Sequence, residues 1–357
     1  MLAKMRTKKL LNNVLKIVLP LTLGGGILYW MYRGFDFTRI REVLLYQMNW
    51  TWMLLSLPFG ILAQAFRGWR WKQTLEPLGE KPRAFVCVNS IYLSYAVSLI
   101  IPRAGEFARC GVLNRYEKVS FPKALGTVVT ERAVDTIIVL LITAVAFLAQ
   151  LRVFVNFFSR TGTRIDDILG RFTATGWLVT VVCGIASVVL FYFVLRRLSI
   201  YNKVKETLTG IWQGVLSLRG LRNVPLFLFY SVAIWASYFL HFFLTFYCFD
   251  ATAQLGMTCA LVSFVVGSIA VIVPTPNGAG PWHFAVKTML ILYGVADVQA
   301  LYFVLIVHTI QTLLVVLLGV YAWMSLGFTK TRVLLGNPDA GQTDTRNIYQ
   351  QILFNNP

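Results

Sequence analysis

Apolar runs as long as a bilayer is thick, joined by short segments rich in lysine and arginine, leave this chain few ways to fold. Several runs approach or exceed the roughly 18 apolar residues that mark a spanning helix. The chain is 57% hydrophobic and only 13% charged, against about 25% charged in an ordinary soluble domain. The pattern predicts an all-α polytopic membrane protein in a cytoplasmic (inner) membrane.

The formal net charge is +18, a value that in a soluble protein would suggest nucleic acid. Here the basic residues sit between apolar runs, as cytoplasmic loops do under the positive-inside rule. No soluble basic face is available to a nucleic acid. The charge instead sets topology and attracts anionic headgroups. Cys87, Cys110, Cys183, Cys248 and Cys259 fall mostly within apolar runs and contain no CxxC, so they read as small packing residues. The basic segment 1–13 places the N-terminus in the cytoplasm. The apolar run after it lacks a small-residue cleavage site and reads as a first membrane helix.

Taken in order, the chain predicts about six spanning helices plus two re-entrant hairpins. Helix 1 covers about 14–31 and helix 2 about 50–66. Helix 2 ends in Arg67, Trp69, Arg70, Trp71 and Lys72, which read as interfacial anchors that snorkel, with headgroup recognition as the alternative. The run 84–101 breaks at Pro102 and Gly105. A full crossing there would strand Arg103 to Lys123 outside, so a hairpin over about 85–121, entering from inside, is preferred. Helix 3 covers about 125–150 and helix 4 about 176–195. An interfacial helix follows over 200–219, then helix 5 over about 225–249. A second hairpin over about 257–293 turns at Pro274, Pro276, Gly278 and Gly280, where no helix continues. Helix 6 covers about 301–326, which brings the C-terminus back to the cytoplasm. Residues 14–327 form one transmembrane domain, and the polar tail 328–357 reads as disordered. The halves 14–150 and 176–326 repeat helix, helix, hairpin, helix in opposite orientation. Such an inverted repeat is frequent in secondary transporters; coincidence among apolar runs is the alternative.

Charge within a membrane is costly and usually faces a partner, a cavity or a substrate. The stretch from Ile100 to Asp135 concentrates it. Arg103, Glu106 and Arg109 are three apart, so Glu106 and Arg109 share a helical face and can pair. Arg103 stands at the turn, near helix N-terminal amides that suit a phosphate. Glu131 and Asp135 lie four apart and Arg132 between them. These carboxylates could do acid–base work, couple a proton or neutralise arginine. We expect Arg103, Glu106, Arg109 and Arg132 to hold a headgroup, with Arg132 held by Asp135. The alternative is an ion network that only fixes structure. His283 and Lys287, four apart beside the second break, join Glu131 and Asp135 as a coupling or structural network. His241 and His308 lie within predicted spans and read as packing residues. No nucleophile elbow, dinucleotide fingerprint, Walker motif or metal-ligand spacing occurs, so no catalytic residue, metal or cofactor is expected.

The motifs PRAGEFAR and ERAVD, the early RGWRW, and the late PTPNGAG followed by WHFAV and YGV resemble the flippase-like family. This family includes the membrane region of lysylphosphatidylglycerol synthase. The resemblance covers nearly all of residues 10–327. It implies translocation of lipids, notably aminoacylated phosphatidylglycerol, across the cytoplasmic membrane. The family's late motif usually ends in Glu, where His283 stands here, and the synthase domain is missing from this sequence.

Three functions follow as expectations. The first is a flippase or transporter in which arginines hold an anionic headgroup and the acyl chains stay in the bilayer. The second is a membrane-embedded transferase with a lipid-phosphate donor, using Glu106, Glu131 or Asp135 as base. The third is a non-catalytic partner of an envelope-lipid biosynthetic enzyme. The repeat and the missing donor domain favour the first.

Overall fold

The computed structural model describes residues 21–150 and 220–335. The N-terminal basic segment, the predicted helix 176–195, the interfacial helix 200–219 and the chain beyond 335 lie outside the described residues. So does the first part of helix 1. Among the described residues nine principal helices follow one another: α1 (residues 21–32), α2 (Trp50–Leu75), α3 (Ala84–Ile100), α4 (Ala104–Glu117), α5 (Phe121–Ala149), α6 (Val224–Phe243), α7 (Gly256–Ala270), α8 (Pro281–Leu292) and α9 (Asp297–Leu335). The same residues contain no strand.

Local chemistry explains where the long helices begin. Asn49 accepts a hydrogen bond from the Thr51 amide at the start of α2, and Asn223 accepts one from Leu226 at the start of α6. Each satisfies an amide that has no partner within the helix. Pro122 and Pro225 occupy the first turns of α5 and α6, where a missing N–H costs nothing.

Among the described residues, three segments are long and apolar enough to cross a membrane: Phe121–Ala149, Val224–Cys248 and Asp297–Thr329. The helices α3 and α7 have 17 and 15 residues, about 25 Å and 22 Å at 1.5 Å per residue. Both fall short of the roughly 30 Å hydrocarbon core. Each folds back on a partner, α3 on α4 and α7 on α8.

The direction of each element follows from its contacts. On α2, Arg70 donates to Ser231 of α6 at 3.2 Å, and the Ser56 carbonyl meets the His241 ring at 2.8 Å. The two helices are therefore antiparallel. Trp71 donates to Thr127 at 2.9 Å, which sets the start of α5 at the Leu75 end of α2. A core cluster at that end holds Trp71, Leu75, Cys87, Leu113, Val128 and Leu326. At the opposite end a second cluster holds Met48, Met53, Phe246, Cys259, Leu290 and Phe303. The α3–α4 pair thus extends from one end of the bundle and the α7–α8 pair from the other. Their turns meet inside it, where Arg103 donates to the Ile272 carbonyl at 2.7 Å.

Two expectations change. Helix α2 does not stop at Phe66 but continues to Leu75, and Arg67 and Arg70 are buried within the bundle rather than snorkelling at its edge. The reason is geometric: Met53, Ser56, Gly60, Ala63, Arg67, Arg70 and Thr74 recur every three or four residues along one buried stripe. Helix α9 likewise runs past Leu326 to Leu335, into the segment expected to be a polar tail.

Candidate functional site

Five arginines and three carboxylates converge where α2, α4 and α5 cross. Pro102 ends the first hairpin arm and Arg103 follows at φ +64°, a left-handed conformation uncommon for a side chain larger than glycine. Gly105 then lets α4 leave against α3; a Cβ there would overlap the Ser94 carbonyl and the Ser98 hydroxyl. This close approach lays the first turn of α4 over the α5 carboxylates.

Arg109, 2% exposed, donates to Glu131 at 2.7 Å and stacks over Trp71 at 4.6 Å from the ring centroid. The Asp135 carboxylate accepts from Arg67 at 2.5 Å and from Arg70 at 2.7 Å. Arg70 also lies 3.6 Å from Glu131. A half-exposed pair, Arg132 with Glu106 at 3.5 Å, flanks this core, and Arg132 reaches Asp135 at 3.3 Å. Three buried arginines thus face two buried carboxylates. Arg109 Nη2 and the Nε atoms of Arg67 and Arg70 have no hydrogen-bond partner.

The pairing differs from the sequence expectation. Glu106 and Arg109 do not pair; Arg109 turns inward to Glu131 and Glu106 outward to Arg132. Asp135 is held chiefly by Arg67 and Arg70 from α2, with Arg132 the longer contact. Lys287 pairs with Asp297 at the start of α9, 2.8 Å away, and not with the group around His283. The one-turn spacing of His283 and Lys287 sets a helical face but does not settle which neighbour each reaches.

A cavity of about 220 Å³ adjoins the cluster, lined by Arg67, Arg103, Arg109, Arg132, Glu106, Ser94, Tyr95 and the turn residues Pro274, Thr275, Asn277 and Gly278. Both broken segments therefore contribute to one chamber. The second turn has its own supports. Asn277 sits at φ +51°, followed by Gly278 and Gly280 at positive φ. Its side chain donates to Thr312 at 2.7 Å, and its carbonyl lies 3.1 Å from His308 Nε2. The His308 and His283 rings stand 4.4 Å apart, and the Gly280 amide points at His283 Nδ1 at 3.4 Å. His241 is buried against Gly60, away from this chamber.

Sequence reasoning placed Arg67 and Arg70 at an interface, with headgroup recognition only as the alternative, and missed Asn277. The signal for the two arginines was present: they continue the small-residue stripe of α2 at helical spacing. Asn277 gave no comparable signal, because only the tertiary contact with α9 distinguishes it from any turn asparagine.

Fold and site together define an integral membrane protein whose charged centre is built inside the helical bundle. The family model described as the lysylphosphatidylglycerol synthase TM region matches residues 17–319, and the chain belongs to that family. Searches of curated proteins and of solved structures returned no match. The family ties the chain to lipid or envelope metabolism at a membrane, and the match covers its membrane region.

Proposed function

We propose that this protein moves an anionic or aminoacylated phospholipid, or another lipid-linked envelope precursor, across the cytoplasmic membrane by holding its phosphate in the chamber between the two broken hairpins. One observation carries the reading. Arginine exceeds carboxylate in a buried cluster, and Arg67, Arg103, Arg109 and Arg132 line the cavity beside it. An uncompensated cation away from water is costly, and a phosphate relieves that cost with the forked geometry arginine provides. Arg103 and Arg132, both more exposed, lie on the same chamber and can receive the headgroup first. Glu106, Glu131 and Asp135 neutralise and orient the arginines.

The orientation follows from charge. At the Leu75 end, Lys72, Lys81, Arg83, Arg115, Lys118, Lys123 and Arg222 outnumber Glu76, Glu80 and Glu117. At the other end the described residues carry only Arg33, Arg39, Arg41 and Lys287, and this bias of Lys and Arg, not the net charge, sets the side. The Leu75 end therefore faces the cytoplasm. The α3–α4 pair enters from inside and α7–α8 from outside, as an inverted repeat of re-entrant segments.

The test is a reconstituted assay of fluorescent phospholipid movement between leaflets. Wild-type protein should accelerate it, and Arg103→Ala and Arg132→Ala should each slow it at least tenfold. Unchanged movement in both variants would sink the headgroup site. Product formation from a lipid-phosphate donor by the purified protein would favour a transferase instead.

A further inference from the structure

The turn that closes the cationic chamber also walls a second, larger cavity. This space of about 750 Å³ lies among α1, α8, α9 and the Pro276–Ala279 turn, and Leu28, Tyr29, Phe37, Leu99 and Leu305 line it. Asn277 belongs to the walls of both cavities. Asn277 thus stands between a chamber lined by arginines and one lined mainly by hydrocarbon and aromatic side chains, with His283, His308 and Thr312 beside the turn.

Two buried hydroxyls flank this partition without hydrogen-bond partners. Thr275 belongs to the wall of the cationic chamber and Tyr32 to the wall of the apolar cavity, with both hydroxyl oxygens themselves buried. A buried unpaired hydroxyl costs about 1–3 kcal/mol, a cost that a rotation of either side chain toward its cavity would relieve if a polar group were there. Asn277 is itself held in a left-handed conformation by Thr312 and His308. Asparagine adopts this conformation more readily than most side chains, so the turn holds Asn277 at the partition without strain.

We infer that the apolar cavity is an acyl-chain site, and that it takes one chain of the lipid whose phosphate the cationic chamber holds. The inference rests on the headgroup reading above. The chain lies among α1, α8 and α9, and the ester region crosses at Asn277. Asn277 is the movable partition: when its side chain leaves Thr312, the two cavities join. At least one chain is then carried inside the protein instead of remaining in the bilayer.

The full chain in nanodiscs is titrated with inorganic phosphate and with dodecyl phosphate, and binding is followed calorimetrically. Dodecyl phosphate should bind at least tenfold more tightly. Thr309→Trp, which fills the apolar cavity from its exposed rim, should remove that margin and leave phosphate binding unchanged; Leu305→Trp should do the same from the interior. Asn277→Ala should widen the margin. Equal binding of the two probes by the wild type overturns the acyl-chain site, as does a margin that survives both tryptophan substitutions, since simple partition of the chain into lipid would survive them. Binding of neither probe overturns the headgroup reading, and this inference with it.

Discussion

Glu131 lies between two arginines with no exposure to solvent, so a small change there reaches the whole cluster. Removing one partner of a buried pair leaves the other charge uncompensated, at about 3–5 kcal/mol. Glu131→Gln should therefore lower the thermal stability of the purified protein markedly, and Glu131→Gln combined with Arg109→Gln should lower it less than the sum of the two single changes. Arg109→Lys keeps the charge but loses both the planar fork and the stack on Trp71. It should weaken phosphate binding at least tenfold in a calorimetric titration while leaving the melting temperature within a few degrees. Much of this cluster was legible in the sequence: RAGEFAR and ERAVD announce charge that apolar surroundings cannot leave unpaired. What stayed hidden was the α2 side of the network. RGWRW reads as an interfacial anchor because loops rich in arginine and tryptophan usually are, and only the continued three-and-four spacing from Met53 onward shows that the helix does not end there.

At the scale of elements, the decisive contact is that of α3 with α4. Gly105 occupies a position where any Cβ would overlap the Ser94 carbonyl. Overpacking costs about 1–3 kcal/mol where side chains can move, and a carbonyl within a helix moves least. Gly105→Ala should push α4 off α3, with expression or melting temperature falling further than for Gly111→Ala, where no atom lies within 4 Å of the added methyl. Helix α5 shows the opposite environment. Only 11% of its most apolar stretch is buried, against 33% for α6 and α9, so its outer face of Ile137, Leu140, Leu141, Val145 and Leu148 meets whatever surrounds the bundle. The helix pairs were readable in sequence from Pro102 and from Pro274 to Gly280, since proline and glycine mark where helices must stop. Which turn meets which was not readable, because the contact between Arg103 and Ile272 joins residues far apart in the chain.

At the scale of the molecule, the described residues contain the order long helix, paired short helices, long helix twice, in α2 to α5 and again in α6 to α9, and the antiparallel contact of α2 with α6 sets the two runs head to tail. If the Leu75 end is cytoplasmic, a cysteine placed at Lys118 should react with an impermeant thiol reagent only from that side. One placed at Val298, exposed near the start of α9, should react only from the other side. Labelling of both from one side would remove the inverted arrangement and the proposed path with it.

If the proposed lipid path runs between the two cavities that flank the Asn277 turn, a transmembrane voltage acts on whatever charge the lipid carries. Whatever the shape of the field along that path, a charge carried from one face of the membrane to the other crosses the whole potential. Each elementary charge carried across it gains or loses about 2.3 kcal/mol per 100 mV. With the interior negative, a headgroup of net negative charge is driven outward and one of net positive charge is held back. The sign of the voltage dependence in proteoliposomes therefore reports the net charge of the transported headgroup, whichever lipid carries it.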